Sequence, residues 1–242
     1  MPVSQVFSAV SLPEKTEVSL KVAVAANFKP ILEQLVKDFK RKYSYQVSLS
    51  FASSGTFYNQ ISHGAPYDVF LSADRKRPEM LEQEQKTIEG SRLTYAYGEL
   101  ALWHKDVNRL TLDDLIHQNG HIAIANPDTA PYGVAAVETL KHNHLLEKLK
   151  NKLVRGTSIQ QTWQFVDSGN ASAGFVALSQ VIGHVDPTSY RIIPNNNYSP
   201  IQQDMVILRS SQHIKAAREF SRFLLSEHSQ QYIEAHGYSG AL

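Results

Sequence analysis

The stretch from Val22 to Gly55 constrains the rest of the chain most strongly. It reads strand, turn, helix, strand, turn. Leu20, Val22 and Val24 alternate as a strand does. Ile31, Leu32, Leu35, Val36 and Phe39 recur at helical spacing with charged residues between them, and Val47, Leu49 and Phe51 alternate again. The first turn carries Ala25-Ala26-Asn27-Phe28 and the second Ala52-Ser53-Ser54-Gly55-Thr56. Each places small amide or hydroxyl side chains where a strand passes into a helix, and there unpaired N–H groups and the positive end of a helix dipole are exposed. Two such turns at the carboxyl ends of strands form a place for an anion, since open α/β sheets bind ligands at that edge.

The same grammar recurs further on. Val69-Phe70-Leu71 is a short apolar run of the kind found in buried parallel strands, and Leu93 to Trp103 reads as one long strand broken only by Gly98. Ile122 to Ala125 is a strand, Asn126-Pro127-Asp128 a turn, and Tyr132-Gly133 the opening of a helix that runs to about His142. Thr157-Ser158 precedes a helix with Ile159, Thr162, Trp163 and Val166 on one face, and Ala173 to Leu178 is a further strand. Asn195 to Pro200 is a loop, Met205 to Leu208 a strand, and the C-terminal part is helical, with Gly237 as a C-cap. Strand–helix alternation of this kind predicts parallel sheets covered on both faces. The expected architecture is α/β, with two lobes joined by two crossings near 93–98 and 198–205. Residues 1–18 are read as a loose tail, residues 19–97 with 204–242 as lobe I, and residues 98–203 as lobe II.

Composition narrows the function. The chain has 242 residues, 42% of them hydrophobic, enough for packed cores in two lobes. Its formal net charge of +1 supplies no global field to recruit nucleic acid, so any preference for anions is local. There are no cysteines, which removes thiol catalysis, thiolate metal sites and disulfides together. No apolar run approaches the roughly 18 residues that span a bilayer, and the N-terminus lacks the pattern of a signal peptide; an exported protein shown without its leader fits this sequence.

Capping explains Asn27 or Ser54 taken singly; their placement at adjacent strand–helix turns favours a ligand site. Gly133 permits close backbone approach and leaves the Tyr132 amide free, and the Ile159 amide lies in the first turn after Thr157-Ser158, so an oxygen there is held by backbone whatever the side chain. Asp68 and Asp74, which flank a strand, read as turn caps or solvated groups. Catalysis finds little support: Ser54 lacks a nucleophile-elbow setting, no phosphate-loop or dinucleotide motif is present, and His142 and His144 do not share a helix face, so they make no metal pair. A site built only of neutral donors suits a fully ionised tetrahedral dianion such as sulfate, molybdate or tungstate. Hydrogen phosphate carries a proton that needs an acceptor.

Together these motifs resemble the periplasmic molybdate-binding proteins of ABC transporters. The resemblance runs from Leu20 to Tyr238 and is anchored on Ala25 to Phe28, Phe51 to Gly55, Gly64 to Asp74, Asn126 to Asp128 and Pro131 to Gly133. It implies a venus-flytrap (type II) binding protein, periplasmic and monomeric, that closes on molybdate or tungstate without a cofactor and presents it to a membrane permease. By motif position, Asn27 donates from side chain and backbone, Ser54 from its hydroxyl, and Tyr132 and Ile159 from backbone amides of the other lobe. Ala26 borders the site where the family has a hydroxyl. Many members place a ligand-donating tyrosine in the strand that here reads Gly174-Phe175-Val176-Ala177, and its absence shifts weight onto Asn27. A binding protein for sulfate, the effector domain of a regulator, and an enzyme acting on phosphate or sulfate esters are the alternatives.

Overall fold

In a computed structural model, residues 18–106 and 109–241 are described; most of the expected N-terminal tail, residues 1–17, lies outside them. The elements run β1 (Ser19–Ala25), α1 (Lys29–Lys42), β2 (Gln46–Ala52), α2 (Ser54–Ser62), β3 (Val69–Leu71), α3 (Lys76–Gln83), β4 (Leu93–Gly98) and β5 (Leu100–Trp103). Then come β6 (Ile122–Ala125), α4 (Pro131–His142), α5 (Leu146–Leu149), β7 (Leu153–Gly156), α6 (Ile159–Asp167), β8 (Ala173–Ala177), α7 (Leu178–Val181) and β9 (Tyr190–Ile192). The chain ends with β10 (Ile201–Ile207), α8 (Ile214–Leu224), α9 (Glu227–Ala235) and β11 (Tyr238–Ser239). Among the described residues no helix is long and apolar enough to cross a membrane.

The strands form two sheets, ordered β11-β4-β10-β3-β1-β2 and β7-β6-β8-β5-β9. The expected long strand from Leu93 to Trp103 is therefore two strands in different sheets, separated at Glu99. Its apolar pattern is continuous because both halves are buried, so nothing in the pattern marks the change of sheet. The sheets are also not purely parallel. β1, β2 and β3 run parallel, whereas β10 lies antiparallel to both β3 and β4. β10 brings the chain back from the second lobe and so enters the first sheet from the opposite end. It begins at Ile201, paired with Gly98, earlier than the strand read from Met205. A register shift between Gln203 and Asp204 lets both of these consecutive polar residues be buried, as a bulge that re-aims a side chain does.

Each sheet carries its own core. The apolar stripe of α1 packs Phe39 edge-on against Phe220 of α8 at 5.2 Å, within a cluster that includes Leu20, Val22, Tyr95 and Ile233. Edge-to-face ring pairs of this kind contribute roughly 0.5–1.5 kcal/mol beyond the area they bury. The C-terminal helices thus cover the first sheet, and Gly237 terminates α9 with φ +86° as a left-handed cap. The second sheet packs Leu100, Ile124, Tyr132, Leu140 and Phe175 into a separate cluster.

Asp68 departs from its reading as a solvated or capping group. It is buried, accepts from the Lys21 N–H at 2.7 Å and the Ser211 hydroxyl at 2.6 Å, and so ties the start of β1 to the segment after β10. Asp74 does cap: it accepts from the Arg77 N–H at 2.9 Å.

Candidate functional site

The two lobes meet over a cavity of about 10 Å³, lined by Ala26, Asn27, Ser54, Tyr132 and Ile159 together with Ala25, Ser53, Ala73, Ala130 and Pro131. The structure thus brings all five sequence-derived candidates to one place, from four strand ends in two lobes. The space is small, admitting the centre of about one water-sized sphere.

Local sequence explains how each group arrives. Ser53, not Ser54, caps α2, its hydroxyl accepting from the Thr56 N–H at 3.2 Å. Ser54, the first residue of the helix, is left to turn its Oγ to the Ala73 N–H, from which it accepts at 2.8 Å. With a lone pair committed to that amide, the Ser54 O–H is free to donate into the cavity. Pro131 opens α4 without needing a partner for a backbone N–H it does not have, which places the Tyr132 amide next. Gly133 is required here: a Cβ would lie 2.2 Å from the Ala125 carbonyl oxygen, so α4 rests directly on the end of β6. Ser158 caps α6 through the Gln161 N–H and leaves Ile159 as its first residue.

Asn27 differs from its sequence reading in two respects. It caps nothing, since Ala25 and Phe28 hold the cap positions of the short 3₁₀ turn Ala26–Phe28 and of α1. Its side-chain nitrogen is committed inward, donating to Gln203 Oε1 and to Tyr238 Oη, each at 3.0 Å. The donor it offers the cavity is its backbone N–H. The amides of Asn27, Ser54, Tyr132 and Ile159 all lie in first helical turns, where the helix supplies no acceptor. Among the described residues no backbone acceptor is found for them elsewhere in the protein.

The electrostatics follow from this geometry. No charged side chain lines the cavity; the positive ends of α2, α4 and α6 and the 3₁₀ turn converge on it. Helix termini and oriented amides are groups that can hold an anion at little desolvation cost to the protein. Among the described residues no group of three or more His, Asp or Glu side chains is placed to hold a metal ion. A wider groove of about 730 Å³ adjoins the cavity at Ala73 and Pro131. It is open and carries charges of both signs, among them Asp74, Lys76, Asp128 and Glu138, unlike the uncharged cavity.

Behind the cavity lie polar residues that the sequence reading passed over: Tyr95, Ser179, Gln203 and Tyr238, all buried. The available signal was the polar run Gln202-Gln203-Asp204 set between Ile201 and Met205-Val206-Ile207, since polar groups buried within a strand require partners. Ala177, at the expected tyrosine position, is fully buried. Ser179, two residues on, supplies a hydroxyl near that strand end and directs it at the Asn27 carbonyl, 3.2 Å away. Burial raises the hydroxyl pKa of Tyr95, Tyr132 and Tyr238 above the ordinary phenol value, so all three stay protonated at neutral pH.

Two α/β lobes joined by paired crossings, with a small cavity at their junction, define a two-lobed solute-binding protein of type II. The chain belongs to the bacterial extracellular solute-binding protein family, which matches residues 20–239. The molybdate-binding protein ModA of Azotobacter vinelandii is 44% identical over 226 residues, 90% of this chain and 89% of that one. Its namesake from Rhodobacter capsulatus is 41% identical, covering 89% and 86%. The solved structure of the Azotobacter vinelandii periplasmic molybdate-binding protein superposes with a TM-score of 0.86 at 40% identity, covering 90% of this chain and 98% of that chain.

Proposed function

We propose that this protein binds molybdate, and tungstate as an ion of the same shape and charge, in the cavity between its lobes, and delivers it to the permease of an ABC transporter. The observation that carries this reading is the convergence of four unpaired first-turn amides and the Ser54 hydroxyl on a cavity without a charged side chain. The likeness to molybdate-binding proteins supports the choice of ion. In this reading Asn27, Tyr132 and Ile159 donate backbone N–H groups, Ser54 donates its hydroxyl, and Ala26 lines the floor. The donors face a dianion that brings no proton. Hydrogen phosphate is disfavoured because no acidic group waits for its hydrogen.

The protein works as a monomer in the periplasm and performs no chemistry on the ion. Ser54 has no base beside it in the cavity, and its Oγ is held by an amide donor. Lobe I is expected to comprise residues 19–97 with 204–242 and lobe II residues 98–203; taking the sheets as the guide, we move Gly98 and residues 201–203 into lobe I, with the hinge where β4 passes into β5 and where the chain enters β10. Sulfate is the alternative ion, because it has the same charge and geometry in a smaller body. Calorimetric titration with molybdate, tungstate, sulfate and phosphate tests the assignment: tight binding of the first two with weak or absent binding of the others is expected, and a preference for sulfate or phosphate overturns it.

A further inference from the structure

The buried cluster behind the cavity spans both lobes, and of its members only Asn27 and Tyr132 line the cavity. On the side of the first sheet stand Asn27, Tyr95, Gln203 and Tyr238; on the side of the second stand Tyr132 and Ser179. The Asn27 amide donates to Gln203 Oε1 and Tyr238 Oη, and the Tyr238 hydroxyl donates back to the Asn27 carbonyl at 2.9 Å. Tyr95 donates to Gln203 Oε1 at 2.9 Å. Across the junction, Gln203 Nε2 donates to Tyr132 Oη at 3.2 Å, and Ser179 Oγ lies 3.0 Å from Tyr238 Oη and 3.2 Å from the Asn27 carbonyl. No member is charged. Among the described residues the backbone N–H groups of Asn27 and Tyr132 have no backbone acceptor.

We infer that Gln203 and Tyr238 are positioning residues for the ion: with Ser179 they form a neutral latch that holds the lobes closed while seating the Asn27 and Tyr132 amides. The inference rests on the anion-binding reading of the cavity and adds residues that never contact the anion. Its physical content is linkage. The Gln203–Tyr132 bond and the bonds of Ser179 to the Asn27 carbonyl and Tyr238 exist only while the lobes are together, so they raise the closed fraction, and apparent affinity scales with that fraction. A latch of neutral groups suits this position, because a buried ion pair at the same distance from the cavity would add its own field to the site. The latch also makes the C-terminal strand β11, which contributes Tyr238, part of the binding machinery.

A double-mutant cycle decides it. Tyr238→Phe removes one hydroxyl and keeps the ring packed edge-on against Phe28 at 5.4 Å; Ser179→Ala removes the other. Molybdate affinity is expected to fall about tenfold in each single variant, through faster dissociation. The double variant should fall by clearly less than the product of the two, because they share a bond. Urea unfolding of the ligand-free proteins should show no such coupling. Affinities within about twofold of the native protein, or equal coupling in ligand-free unfolding, overturn the latch and leave the cluster as ordinary folded core. If the native protein does not bind molybdate, the ligand reading falls and X-ray scattering still decides the latch. A larger radius of gyration in the double variant than in the native protein sustains it, and equal radii overturn it.

Discussion

Replacing Gly55 by Ala separates closure from folding. Gly55 is the second residue of α2, and its N–H donates across the junction to the Thr129 carbonyl at 2.9 Å. A Cβ there would lie 2.9 Å from Thr129 Cα and 3.0 Å from Thr129 O, both backbone atoms of the other lobe, and 3.1 Å from the Arg77 guanidinium. Comfortable carbon contacts begin near 3.5 Å, so the seam must open by roughly half an ångström or more. Overpacking costs typically 1–3 kcal/mol, and the strained interlobe hydrogen bond adds up to about 1 kcal/mol. Both fall on the closed state alone. Molybdate affinity is therefore expected to drop by about 2 kcal/mol, near thirtyfold. The ligand-free protein, free to relax its lobes, should gain a few tenths of a kcal/mol, because Ala is the better helix residue. Calorimetric titration and urea unfolding of the ligand-free protein read the two effects separately. Affinity kept within twofold, or a loss of ligand-free stability equal to the loss of affinity, would refute this reasoning.

Three further outcomes follow from particular contacts. Ser54→Ala removes the hydroxyl offered to the cavity and should weaken molybdate binding by roughly 1.5–3 kcal/mol. Because it also strands the buried Ala73 N–H, ligand-free stability should fall by about 1 kcal/mol; titration and unfolding of one preparation check both. Arg92 reaches the buried Asp204 carboxylate at 3.1 Å and Glu82 at 2.6 Å. Arg92→Met leaves Asp204 with hydrogen-bond donors but no cation, and should cost about 2–3 kcal/mol in urea unfolding, with partial recovery on adding Asp204→Asn. Finally, Tyr95, Tyr132 and Tyr238 hold their protons above the pH at which unfolded tyrosines, near 10, release theirs. Above that pH the native state binds more protons than the unfolded state, so stability should fall as pH rises, with no contribution from these groups below about pH 9. Unfolding midpoints at pH 8 and pH 10.5 measure the fall, and Tyr238→Phe should make it shallower.

The sequence exposed the site better than the scaffold that supports it. Strand ends and cap residues are local signals, so Asn27, Ser54, Tyr132 and Ile159 could be picked out one turn at a time, and their meeting required only that two lobes face each other. Gly133 was legible for the same reason, because a close approach leaves a glycine at the point of contact. The roles within a turn were not. Whether Ser53 or Ser54 caps α2 depends on the Ala73 amide, and whether the Asn27 side chain faces ion or protein depends on Gln203 and Tyr238, which lie 176 and 211 residues away. The direction of β10 and the break at Glu99 were hidden likewise, since a buried strand shows the same apolar letters whichever sheet it joins and whichever way it runs.

The crossings between the lobes lie side by side. Gly98 at the end of β4 pairs with Ile201 at the start of β10, and just beyond them the Leu100 N–H donates to the Tyr198 hydroxyl at 3.1 Å. Two chain segments pinned together at one edge act as a two-pin door hinge: they permit swing about the line through the pins and resist torsion and sliding. The seam where Gly55 meets Thr129 and the Arg77 guanidinium reaches the Asp128 carbonyl at 3.0 Å lies outside those pins and belongs to the part of the door that parts on opening. Such a mechanism has one principal degree of freedom, so a rotation at the pins too small to disturb either core can part that seam, and access to the cavity is governed by contacts that lie outside both cores.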